Sequence, residues 1–130
     1  METRKKIRIM LIDSDRHVRE SIKVFFASGR TQCLVFKSAA QGLNALKYQQ
    51  VEVVISDYFL PDMDGVAFLN RAVALQPDLI RILMATITTE DLEREIRRSG
   101  IDRFIEKPLT VASLDTVINE CEIVSNHSRR

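Results

Sequence analysis

Tryptophan is absent from these 130 residues, cysteine occurs twice, proline three times and glycine four times. Glycine and proline are thus too scarce for a collagen-like or low-complexity chain. Cys33 and Cys121 fall in apolar segments, without CxxC spacing and without a neighbouring His or Cys that could share a metal. They are expected as buried free thiols, and no disulfide framework is expected. Charge of one sign is lacking too: 19 basic residues face 18 acidic ones, for a net charge of +1. That balance lacks the electrostatic footprint of a nucleic-acid binder, and the basic start METRKKIR reads as a solvated terminus. No apolar run approaches the roughly 18 residues of a membrane span. The basic start is followed by only a short apolar segment before acids appear, so no signal peptide is expected there. A soluble, cytoplasmic protein without a membrane or direct nucleic-acid partner is expected. The length fits one domain with a real core, expected over residues 1–124, with 125–130 a C-terminal tail or the start of a linker.

What the chain does have is a regular alternation. Strand-like runs lie at Ile7 to Ile12, Cys33 to Phe36, Val51 to Ser56, Ile80 to Met84 and Arg103 to Glu106. The first, third and fourth are nearly unbroken apolar runs, as expected of strands covered on both faces. Between them the apolar residues recur at helical spacing, with Val18, Ile22 and Phe25 in the first such segment and Leu114, Val117, Ile118 and Cys121 in the last. The segment around Leu92 and Ile96 opens with Thr88-Thr89-Glu90-Asp91, which resembles a capping box. Glu90/Arg94 and Glu93/Arg97 stand four apart on its wet side. Gly29, Pro77 and Gly100 punctuate helix ends. Five βα units in series predict an α/β fold, (βα)5: a doubly wound, parallel five-stranded sheet with helices on both faces.

In such sheets ligands bind beyond the carboxyl ends of the strands. The polar residues at those ends are Asp13, Ser14 and Asp15 after the first strand, Asp57 after the third, Thr86 after the fourth and Lys107 after the fifth. Each has an ordinary reading alone: a helix cap, a turn, a strand end, a solvated lysine. Acids, a hydroxyl and an ammonium converging on one rim from segments far apart in the chain are harder to set aside.

These residues carry a resemblance. Asp57 followed by YFLPDMDG, Thr86 after the fourth strand, and FIEKP at 104–108 resemble the motifs of response-regulator receiver domains, in order over Ile7 to about Val124. The resemblance implies the flavodoxin-like strand order 2-1-3-4-5, and a phosphoacceptor rather than an enzyme, with at most self-catalysed phosphotransfer and autodephosphorylation. Asp57 would take a phosphoryl group from a histidine kinase or phosphotransfer protein by in-line attack. Mg²⁺ would be held by Asp13, Asp57 and the backbone carbonyl of Phe59, with Ser14 or Asp15 as further candidates. Lys107 and Thr86 would meet phosphoryl oxygens, and Thr86 with Phe104 would form the switch. The fourth helix, fifth strand and fifth helix would be the output face, toward an effector domain or a second copy. Lys107-Pro108 is usually a cis bond in the family.

The chain departs from the family where two adjacent acids normally follow the first strand: the second is Ser14, so the metal site is expected to be weak. Ile87 stands where alanine or glycine is usual, and Phe104 where tyrosine is also common. Two other readings stay open. A receiver-like docking or dimerisation module would use the same fold without phosphorylation. A haloacid-dehalogenase-type phosphatase would use Asp13 as nucleophile and Asp15 as acid, because IDSD also fits an Asp-x-Asp motif. That family wants a further acidic pair after its lysine, and Pro108-Leu109-Thr110-Val111 offers none.

Overall fold

The computed structural model describes residues 7–128 apart from 28 and 30. Strands and helices alternate: β1 (Arg8–Ile12), α1 (Arg16–Phe26), β2 (Gln32–Phe36), α2 (Ala39–Leu46), β3 (Val53–Asp57), α3 (Gly65–Leu75), β4 (Ile80–Ala85), α4 (Glu90–Ser99), β5 (Arg103–Glu106) and α5 (Val111–Ser128). All strands are parallel, in the order β2-β1-β3-β4-β5. This is the doubly wound sheet that the alternating pattern predicts.

The unbroken apolar runs are explained by two cores. Successive strand residues point to opposite faces. Met10, Ile12, Val54 and Leu83 pack with Phe68 and Leu69 of α3 on one face. Ile9, Leu11, Val53, Ile55, Ile82 and Met84 pack with Ile22 of α1 and Leu114, Val117 and Cys121 of α5 on the other. Phe68, fully buried, contributes on the order of 1.5–3 kcal/mol by burial alone.

Some boundaries differ from the sequence reading. β3 begins at Val53, not Val51, because Glu52 donates its amide to Arg8 O and uses a carboxylate oxygen to accept the Arg8 amide at 3.0 Å, outside the regular ladder. It runs on to Asp57, whose backbone pairs with Met84. β1 starts one residue later than expected and β4 ends one later. α5 continues to Ser128, past the point where its apolar spacing gives out. Cys121 is buried, but Cys33 is only half-buried, and desolvation pushes the Cys33 thiol up to about 12. On α4 the cap is Thr89, which accepts the Leu92 amide; Leu92 cannot return the bond, so no capping box closes. Arg94 pairs with Asp91 instead of Glu90.

One buried charge ties three elements together. Arg81 on β4 is 6% exposed. Its guanidinium donates to Ser99 O at 2.7 Å, Gly100 O at 2.9 Å and Asn70 Oδ1 at 3.1 Å, and Asn70 in turn donates to Ser99 Oγ at 3.1 Å. The cation thus sits on the carbonyl end of α4, where the helix dipole is negative. Gly100 closes that end with φ 69°, a left-handed conformation that suits glycine.

Candidate functional site

Strand register places the rim residues as two pairs on one edge, Thr86 and Lys107 two positions further along than Asp13 and Asp57. Ile12 pairs with Ser56, so Asp13 stands beside Asp57. Ala85 pairs with Glu106, so Thr86 stands beside Lys107. The Lys107-Pro108 peptide is cis.

Asp13 is fully buried. Its Oδ1 accepts the Asp15 amide at 2.9 Å, and its Oδ2 accepts from Lys107 Nζ at 2.9 Å. The same ammonium donates to Asp57 Oδ2 at 3.2 Å, so one lysine bridges two carboxylates drawn from the adjacent strands β1 and β3. Burial raises the Asp57 pKa, the Asp13 carboxylate raises it further, and Lys107 and the Phe59 backbone pull it back only in part. Burial also works against the Lys107 ammonium, but Asp13 and Asp57 outweigh it, and its pKa lies above the ordinary value.

The β1–α1 loop is fastened by its own side chains. Asp15 is the N-cap of α1, accepting the His17 amide at 2.8 Å. Ser14 points out and is exposed. Arg19, one turn into α1, reaches back to donate to Asp13 O at 3.0 Å and Ser14 O at 2.8 Å. On the other side of the site, the β3–α3 loop lies close against its neighbours. A Cβ added to Gly65 would stand 2.3 Å from Asp57 O, so only glycine lets α3 start this close to the acceptor strand. Asp62 in the same loop accepts the Ala39 and Ala40 amides at 3.0 and 2.8 Å, capping α2 from another segment.

Thr86 is exposed and lies between two cavities. One, of about 460 Å³, is lined by Asp15, His17, Val18 and Lys107; the other, of about 370 Å³, by Tyr58, Phe59, Ile87 and Leu92. Phe104 is half-buried against the α3-side core. Asp13, Asp57 and Lys107 are thus in direct contact, Thr86 borders them, and Phe104 stands apart. Among the described residues no group of three His, Cys, Asp or Glu side chains is placed to hold a metal. Sequence reasoning missed Arg19, and it placed Asp62 in the YFLPDMDG motif without its role as a cap. A lone arginine on an amphipathic helix and an acid in a turn carry no periodic signal, and their partners lie on backbone groups outside their own elements.

The fold and this rim define a flavodoxin-like α/β protein with its polar site at the carboxyl edge of the sheet. Residues 9–119 match the response regulator receiver domain, and the chain belongs to that family. It is 31% identical over 106 residues to the C4-dicarboxylate transport transcriptional regulatory protein DctD of Rhizobium meliloti, covering 82% of this chain and 23% of that one. It is 26% identical over 103 residues to the DNA-binding transcriptional regulator NtrC of Escherichia coli, covering 79% of this chain and 22% of that one. Among solved structures, a receiver domain of an HD domain-containing protein from Pseudomonas fluorescens superposes with a TM-score of 0.86 at 26% identity, covering 100% of this chain and 97% of that one. A CheY-like receiver from Methanospirillum hungatei shares the fold with a TM-score of 0.89 at 22% identity, covering 95% of this chain and 99% of that one. The chain spans about a quarter of DctD and NtrC.

Proposed function

We propose that Asp57 is the phosphoacceptor and that a histidine kinase or phosphotransfer protein is the donor. The observation that carries this reading is the Lys107 ammonium held between Asp57 and Asp13, at 3.2 and 2.9 Å. An Asp57 carboxylate oxygen attacks phosphorus, an acyl phosphate bond forms, the P–N bond of the phosphohistidine breaks, and the imidazole leaves with its electron pair. Lys107, already on Asp57, moves onto a phosphoryl oxygen and Thr86 donates its hydroxyl to another. The donor set fits Mg²⁺, which binds through one or two carboxylates and keeps several waters: Asp13 and Asp57 supply the carboxylates, the Phe59 carbonyl a neutral oxygen, and Ser14 an exposed hydroxyl. When bound, the ion would neutralise charge on the phosphoryl oxygens. Asp15 already gives one oxygen to the His17 amide. Thr86 and Phe104 pass the change to the face of α4, β5 and α5, which an effector domain or second copy reads.

The phosphatase reading has less support. Asp13 would be its nucleophile, yet that carboxylate is fully buried with both oxygens engaged. Incubation with acetyl phosphate and Mg²⁺ followed by intact mass tests the assignment. One phosphoryl adduct, lost in Asp57→Asn, is expected. An adduct mapped to Asp13 or Asp15 defeats the assignment, and its absence from the unaltered protein favours the docking module.

A further inference from the structure

Among the described residues, two of the large apolar side chains left in solvent are Phe59 and Ile87, 74% and 71% exposed. They come from different loops, after β3 and after β4, and line the same cavity of about 370 Å³. Its inner wall is apolar, with Ala85 and Leu92 buried and Tyr58 half-buried. Its mouth is acidic. Asp91 and Glu95 of α4 line it. Asp91 is paired with Arg94, whereas Glu95 is in no ion pair among the described residues. The rings of Tyr58 and Phe59 meet edge to face, with centroids 4.9 Å apart at 90°, leaving an open aromatic corner under that carboxylate.

An aromatic corner beneath an unpaired carboxylate attracts a cation, and apolar flanks select one on a long apolar stem. Lysine would satisfy the charge alone. Arginine also stacks its planar head on a ring and can meet a carboxylate through two N–H donors. We propose that the Tyr58–Phe59–Ile87–Leu92 cavity is a docking site for an arginine side chain, presented between apolar residues by a segment of a partner protein and held by Glu95. This goes beyond the phosphoacceptor reading and needs no phosphoryl group on Asp57. The occupant is chosen by complementarity: the mouth is negative and the wall apolar.

The test is an NMR titration of the unphosphorylated full chain with the peptide acetyl-Ala-Leu-Arg-Leu-Ala-amide, beside the same peptide with citrulline for arginine. Citrulline keeps the shape and loses the charge. Saturable shifts should map to 58–59, 85–89 and 91–95, and binding should weaken by at least about fivefold with citrulline. Glu95→Gln and Phe59→Ser, both changes at exposed side chains, should cause a similar loss while the rest of the spectrum stays in place. Equal binding of the two peptides, undiminished binding to Glu95→Gln, shifts scattered over other faces, or no saturable shift at all would each overturn the proposal. The acetyl phosphate experiment is independent of this one, so either can fail alone.

Discussion

Serine at position 14 takes one negative charge from a site that already holds a lysine. Two unit charges about 4 Å apart at an effective dielectric of ~20 interact by roughly 4 kcal/mol, most of it offset by desolvating the carboxylate. A net effect of ~1–3 kcal/mol corresponds to roughly ten- to hundred-fold in affinity. Ser14→Asp should therefore bind Mg²⁺ more tightly by that factor in a calorimetric titration. Asp15→Asn should change little, because asparagine also caps α1. Unchanged affinity in Ser14→Asp together with lost affinity in Asp15→Asn would mean that Asp15 has replaced the missing acid. The raised pKa of Asp57 has a second consequence. Because its folded pKa lies above the unfolded one, ionising Asp57 costs the fold stability, and that cost begins to lift as pH falls through the folded pKa and is gone below the unfolded one. Carbon-detected NMR of the Asp57 carboxyl should show its pKa fall in Asp13→Asn, which removes a like charge, and rise in Lys107→Ala, which removes the opposite one. Shifts of the reverse sign would mean that the lysine bridge does not govern this carboxyl.

At the scale of elements, the acceptor loop is set by how closely α3 approaches β3. A methyl group at Gly65 would meet Asp57 O at 2.3 Å and Leu83 Cδ1 at 2.9 Å. Gly65→Ala should lower stability by about 1–3 kcal/mol, as overpacking does, seen as a lower denaturant midpoint at unchanged slope. An unaltered midpoint would show that the loop can lift away freely. The strands were legible in the sequence because β1, β3 and β4 are covered on both faces, and covered strands must be apolar throughout. Their ends were less so. Val51 is buried like a strand residue, yet Glu52 spends its bonds on Arg8, and Asp57 looks like a loop residue although its backbone still pairs with Met84. The rim acids, threonine and lysine could be named because strand ends are where an open parallel sheet keeps its site. The side chains that fasten the loops could not. Asp62 acts on backbone amides at the start of α2 and Arg19 on carbonyls of the loop before its own helix, contacts that no periodic spacing encodes.

Taken as a whole, the molecule is a sheet between two separate cores, and few side chains other than the site residues bind several elements at once. Arg81 is one of them, joining β4, α3 and the last turn of α4. Among the described residues the first turn of α4 has nothing comparable: residues 86–91 are exposed, and the helix start is held by its own Thr89 cap and the buried Leu92. The two ends of α4 therefore differ in mechanical terms. One is riveted and the other is held only locally, so opening of the helix is expected to start at the edge nearest Asp57, like a door hung at Gly100. Native-state hydrogen exchange makes this measurable. Amides 96–101 should require a larger opening than amides 92–95, and Arg81→Met, which keeps an apolar stem and removes the donors, should erase that difference. Equal protection along α4 in the unaltered protein would mean that the helix lifts as one piece, and any signal starting at Thr86 would then arrive at both of its ends together.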